Sequence, residues 1–199
     1  MQRGADPGLL DTYEAERAPV ARHVLGLSTR LAATVTSTST QGMVARDEDT
    51  FQLGIHYRES PLSQDLRAAP GRVRAGDRAP DAPALQDCTG GSCALFDVFR
   101  GPRATLVAFG EAWLPSLRAA RALAGDDVLA ACIVDAAAIS PDSGAVRVLA
   151  DTEGHAAAAY DPGEGALFVV RPDGVVGFAC DRPDDAALAA WLRRAGLVR

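Results

Sequence analysis

The chain has 199 residues, 48% of them hydrophobic, enough for the core of one ordinary domain and part of a second. Its formal net charge is −6, all 20 basic residues are arginine, and no positive cluster exceeds two adjacent arginines, which argues against nucleic acid or an anionic membrane surface as partner. No apolar run reaches the roughly 18 residues of a membrane span, Met1–Pro7 lacks a signal-peptide core, and four unpatterned cysteines are too few for a disulfide scaffold, so a cytoplasmic protein with reduced thiols is expected.

Taken in order, Asp6 and Pro7 suit a helix start, and Leu9, Leu10 and Tyr13 open its apolar stripe. Pro19 interrupts the pattern, and Val20, Val24, Leu27 and Leu31 restart it, predicting a kinked or broken helical pair over about residues 7–32. The polar run 34–42 reads as a linker, and the alternation of Phe51, Leu53, Ile55 and Tyr57 predicts a half-buried strand that Ser60-Pro61 ends. Three prolines and several charges between Ala68 and Pro83 mark a domain boundary, dividing the chain into an amino-terminal helical segment and linker, 1–67, and a domain, 68–199.

Within that domain Leu85–Leu95 predicts a hairpin around Thr89-Gly90-Gly91, and Leu95–Phe99 a helical turn. Thr105–Phe109 is an apolar run suited to a strand buried on both faces. After Gly110 the period changes to that of a helix with Trp113, Leu114, Leu117, Ala120 and Leu123 inward and Arg118 and Arg121 outward, and Val128–Val134 returns as a second strand. A strand at Val146–Ala150 leads to a helix through Ala159 that Asp151 or Thr152 can cap, and strands 166–171 and 175–180 flank the turn Pro172-Asp173-Gly174. Asp184 and Asp185 open a last helix with Leu188, Trp191 and Leu192 inward. This order of elements is that of an α/β, thioredoxin-like fold, a central mixed sheet flanked by helices.

In such a fold a reactive thiol sits where the central strand meets its helix, because the helix amino terminus lowers its pKa. Here that junction is Gly110-Glu111-Ala112-Trp113-Leu114-Pro115, without cysteine, and Gly165 stands where a proline usually precedes the first strand of the hairpin. Dithiol or peroxidase chemistry is therefore not expected there. Cys88 and Cys93 could close a small surface disulfide or be two ordinary loop thiols, zinc would need two more ligands nearby, and Cys132 and Cys180 read as core residues. His23, His56 and His155 are scattered, Gly163 and Gly165 precede a strand rather than a helix, and no Gly-x-Gly-x-x-Gly occurs.

Leu9-Leu-Asp-Thr-Tyr-Glu-Ala-Glu-Arg-Ala-Pro-Val-Ala21 resembles the helix that ends the FAD and substrate domains of aromatic-ring hydroxylases in the phenol-hydroxylase and polyketide-oxygenase group of flavoprotein monooxygenases. Leu53–Leu62, Arg74–Pro83, Leu95–Pro102 and Leu167-Phe-Val-Val-Arg-Pro-Asp-Gly-Val-Val-Gly177 resemble successive landmarks of that group's thioredoxin-like carboxy-terminal domain. The family's FAD-binding fingerprint has no counterpart in this sequence. The resemblance thus implies membership with no catalytic, cofactor-binding or metal residue in this chain, FAD and NAD(P)H being expected of a complete member alone. It implies a structural or subunit-contact role, with an FAD-domain chain or a second copy as partner through residues 7–32. The alternatives are an independent thiol redox protein using Cys88 and Cys93, and a small module binding an aromatic ligand.

Overall fold

The computed structural model describes residues 8–37, 54–142 and 144–198. It opens with helix α1, Gly8–Ser37, which runs unbroken through Pro19. The expected break does not occur: a proline removes only its own N–H from the ladder and crowds one carbonyl, and the turns on either side keep theirs. The helix also takes in residues 34–37 of the expected linker. Asp6, Pro7 and residues 38–53 lie outside the described residues, as do the side chains of Leu27 and Leu31.

Residues 54–57 are not strand, and Tyr57 instead donates its N–H to the Gly76 carbonyl at 2.7 Å. The chain then forms β1, Gln64–Asp65; the hairpin β2, Leu85–Gln86, and β3, Ser92–Cys93; α2, Leu95–Phe99; β4, Ala104–Phe109; and α3, Leu114–Ala124. There follow β5, Val128–Val134; β6, Val146–Asp151; α4, His155–Tyr160; β7, Leu167–Val170; β8, Val176–Cys180; and α5, Asp185–Arg194. The eight strands form one sheet in the order β1-β8-β7-β4-β5-β6-β2-β3. β4, β5 and β6 are parallel, β7 runs antiparallel to β4, and β8 antiparallel to β7. A parallel β-α-β unit followed by an antiparallel hairpin and a closing helix is the thioredoxin-like arrangement. The sheet also takes in residues before Ala68, since β1 pairs in parallel with β8 and Trp191 Nε1 donates to the Leu62 carbonyl at 2.9 Å.

Alternation along β4 builds two cores from one strand. Leu106 and Ala108 join Trp113, Leu117, Phe178, Leu188 and Trp191 beneath α3 and α5. Val107 and Phe109 face the opposite side, where Phe109, Tyr160 and Phe168 stack with ring centroids 5.1–5.9 Å apart and the Tyr160 hydroxyl donates to the Pro80 carbonyl. The phase of α3 differs from expectation in one respect: Ala124 is buried and Leu123 is 42% exposed, because 113, 117, 120 and 124 keep a closer helical stripe than 123 does. Arg118 is exposed as expected, whereas Arg121 is half-buried and bridges Asp126 at 2.8 Å. The cap of α4 is Gly154, with Asp151 Oδ2 accepting the N–H of Ala157 from outside the helix, while Asp184 caps α5 through Ala187.

Candidate functional site

At the junction of β4 and α3, Gly110 donates its N–H to the Ile133 carbonyl and residues 111–113 make one 3-10 turn. That turn places the Trp113 indole in the core at 4% exposure, and no residue of 110–115, the segment in which a thioredoxin-like enzyme presents its thiol, is a cysteine. The nearest thiol, Cys132, donates to the Gly110 carbonyl at 3.3 Å. Burial, with the charge of Glu111 adding to it, pushes that thiol up to about 12, so it stays protonated and unreactive at neutral pH. The adjoining cleft of about 210 Å³ is lined by Asp135, Asp151 and Glu164, and no cluster among the described residues is arranged to hold a metal ion.

Cys88 and Cys93 both lie on the β2–β3 hairpin as free thiols, the first exposed and the second half-buried. The strand register sets Leu85, not Cys88, across from Cys93. Cys180 is buried like Cys132, and His23, His56 and His155 are exposed, His155 touching Glu153 at 2.9 Å.

The structure does bring together the two most specific motifs of the sequence. Glu16 of α1 is 7% exposed and meets Arg171, the last residue before the 172–174 turn, in a paired contact at 2.5 and 2.9 Å. The Ser60 hydroxyl donates to the same carboxylate at 2.6 Å, and Asp173 takes the other side of the guanidinium at 2.6 Å. Burial alone would raise the Glu16 pKa; the hydrogen bonds from Arg171 and Ser60 outweigh it and hold the carboxyl below its usual value. At the next residue, the Arg17 guanidinium lies over both Tyr13 and Tyr57, with centroids at 5.6 and 5.8 Å. Beyond the turn, Gly177 of β8 lies directly over the Trp191 indole and the Arg171 stem, where no side chain fits. Periodicity gave no hint of this cluster, since Glu16 and Arg171 are 155 residues apart. A signal existed only in that each charge sits inside a distinctive motif.

The arrangement is a polar clasp between a helix and a domain, in which the Glu16 carboxylate is taken up by Arg171 and Ser60. No protein-family model matches the chain. A flavin-dependent monooxygenase of Mycobacteroides abscessus is 37% identical over 174 residues, which cover 87% of this chain. This chain is homologous to the carboxy-terminal part of flavin-dependent monooxygenases. Pentachlorophenol 4-monooxygenase of Sphingobium chlorophenolicum is 35% identical over 123 residues, covering 54% of the chain. The crystal structure of aklavinone-11 hydroxylase with FAD and aklavinone superposes with a TM-score of 0.62 over 96% of the chain at 27% identity. The chain spans 28% and 21% of the length of the two sequence relatives and 36% of the aklavinone-11 hydroxylase chain.

Among the described residues, the glycine pair that could approach a flavin pyrophosphate does not form a cradle for it. The glycines at 163 and 165 precede β7 rather than a helix, and the space at Gly165 is taken by the Phe109 carbonyl and the Trp113 ring nitrogen, 3.0 and 3.1 Å from where a Cβ would stand. No open backbone cradle for a pyrophosphate results.

Proposed function

We propose that these residues form the carboxy-terminal, thioredoxin-like portion of an FAD-dependent aromatic hydroxylase, with a structural and subunit-contact role and no reacting group of their own. The observation that carries this reading is the β4–α3 junction, where residues 110–115 hold no thiol and the neighbouring Cys132 is buried and held protonated. The relatives, all monooxygenases or hydroxylases, supply the family context. In this reading α1 is the docking element. The Glu16–Arg171 clasp ties it to the thioredoxin-like unit, and Leu25, 67% exposed further along, is offered to an FAD-binding domain. The complete enzyme would act on an aromatic ring with FAD and NAD(P)H in the cytoplasm.

The test is direct. The purified chain is expected to be colourless and to show no NAD(P)H-dependent oxygen consumption when FAD and an aromatic phenol are supplied. Stoichiometric FAD retained through gel filtration, or turnover by this chain alone, overturns the reading.

A further inference from the structure

We infer that the chain pairs with a second copy of itself through a two-fold contact in which the first two turns of each α1 enter a groove between α2 and the 171–174 turn of the other protomer. This rests on the subunit-contact reading above and names its partner and surface.

The groove encloses about 450 Å³ and is lined by Arg78, Phe96, Phe99, Arg100, Pro172 and Gly174 among others. Phe96 is 50% exposed and its ring stands 6.1 Å from that of Phe99, tilted by 45°, so an apolar wall faces solvent. Its charge is positive in a chain that is acidic as a whole. Arg171, also in the wall, is neutralised by Glu16 and Asp173. Arg78 has no ion-pair partner among the described residues, and Arg100 has only Asp97 at 3.4 Å, with both side chains largely exposed.

The beginning of α1 is the complement. Leu10 and Tyr13 are 62% and 65% exposed, Asp11 and Glu14 are exposed beside them, and no basic residue lies between Gly8 and Glu16. An apolar surface edged with carboxylates is what a groove of phenylalanine edged with the exposed Arg78 and Arg100 accommodates, since aromatic residues and arginine are enriched at interfaces and opposite charges fix their register. The two patches are neighbours within one protomer, because Arg171 lines the groove and holds Glu16. At 1.5 Å rise per residue, Tyr13 and Leu10 lie roughly 4.5 and 9 Å along the helix from that ion pair. Among the described residues both nevertheless stay open, so the first two turns of α1 do not fill their own groove. A two-fold axis near Arg171 places each acidic patch on the other copy's basic groove, and such a self-complementary contact closes at two subunits.

Light scattering on the wild-type chain at micromolar to sub-millimolar concentration should give twice the mass of one 20.7 kDa chain. Two charge-reversed proteins decide the surface: Asp11→Arg with Glu14→Arg, and Arg78→Glu with Arg100→Glu. Each alone should be monomeric. Their equimolar mixture should recover the dimer, because both contacts in the mixed pair join opposite charges, and this recovery also shows that each variant is folded. A wild-type monomer overturns the inference, and so does a wild-type monomer whose α2 amides are protected from exchange, which would give the groove to another segment of the same chain. Reversed variants that remain dimeric, or a mixture that stays monomeric, also overturn it. The flavin-related reading stands or falls separately, on flavin retention.

Discussion

Glu16 is one of the few charged side chains taken out of water here, and its partners decide its titration. Its pKa in the folded chain lies below the ordinary glutamate value, so its contribution to holding α1 is complete above that ordinary value. The contribution is lost as pH falls through the depressed folded value. Protection factors of amides in the first half of α1 should therefore fall as pH drops below the ordinary glutamate value, while those of the sheet are kept. Glu16→Gln should produce that loosening already at neutral pH, at a cost of about 1.5–3 kcal/mol, the worth of hydrogen bonds to a charged group. Protection of α1 that is independent of both pH and this substitution would remove the clasp from consideration. The thiols sort by burial in the same way. Native protein should expose Cys88 and, more slowly, Cys93 to a thiol reagent at pH 8, while Cys132 and Cys180, each pushed up to about 12 chiefly by burial, react only after denaturation. Two thiols that vanish on mild oxidation and return with reductant would instead favour a redox role for the hairpin pair.

Among the elements, α3 offers the sharpest contrast between neighbours. Leu117 is fully buried and Leu123 is 42% exposed, although both fall within a plausible apolar stripe. Leu117→Ala should cost about 2–5 kcal/mol in urea unfolding. Leu123→Ala should change stability by less than about 0.5 kcal/mol. Equal losses would mean that the helix is rotated from the position described. β1 is short, yet it closes one edge of the sheet and sits beside the Leu62 carbonyl that satisfies the buried Trp191 indole. Removing residues 1–53 should leave the denaturation midpoint of the sheet nearly unchanged. Removing residues 1–67 should lower it clearly, because a buried donor then loses its acceptor, at about 1–3 kcal/mol.

At the scale of the molecule, one sheet carries two cores and a helix held to it by a polar clasp. Such an attachment is adjustable in a way that an apolar interface is not. The proposed self-contact is part apolar and part electrostatic, and the ions at its edges are exposed. Its dissociation constant should rise between low and high salt, since exposed charge pairs are screened beyond a Debye length of roughly 10 Å at 0.1 M. Light scattering across a salt series checks this, and a dimer indifferent to salt would place its contact elsewhere.

Local chemistry already determined much of this architecture. The apolar run 105–109, the change of period after Gly110 and the Pro172-Asp173-Gly174 turn specify β4, α3 and the β7–β8 hairpin within a few residues, because strand period, helix period and turn conformation are properties of neighbours in sequence. The replacement of the junction thiol was legible for the same reason. What the sequence could not show depends on distant partners. A helix unbroken at Pro19, a two-residue strand at 64–65 and the exact face of α3 are each decided by what packs or pairs against them. The candidate site belongs wholly to this second class. Glu16 and Arg171 lie 155 residues apart, and only the folded sheet, by carrying the end of β7 to the side of α1, makes two ordinary surface charges into one buried pair.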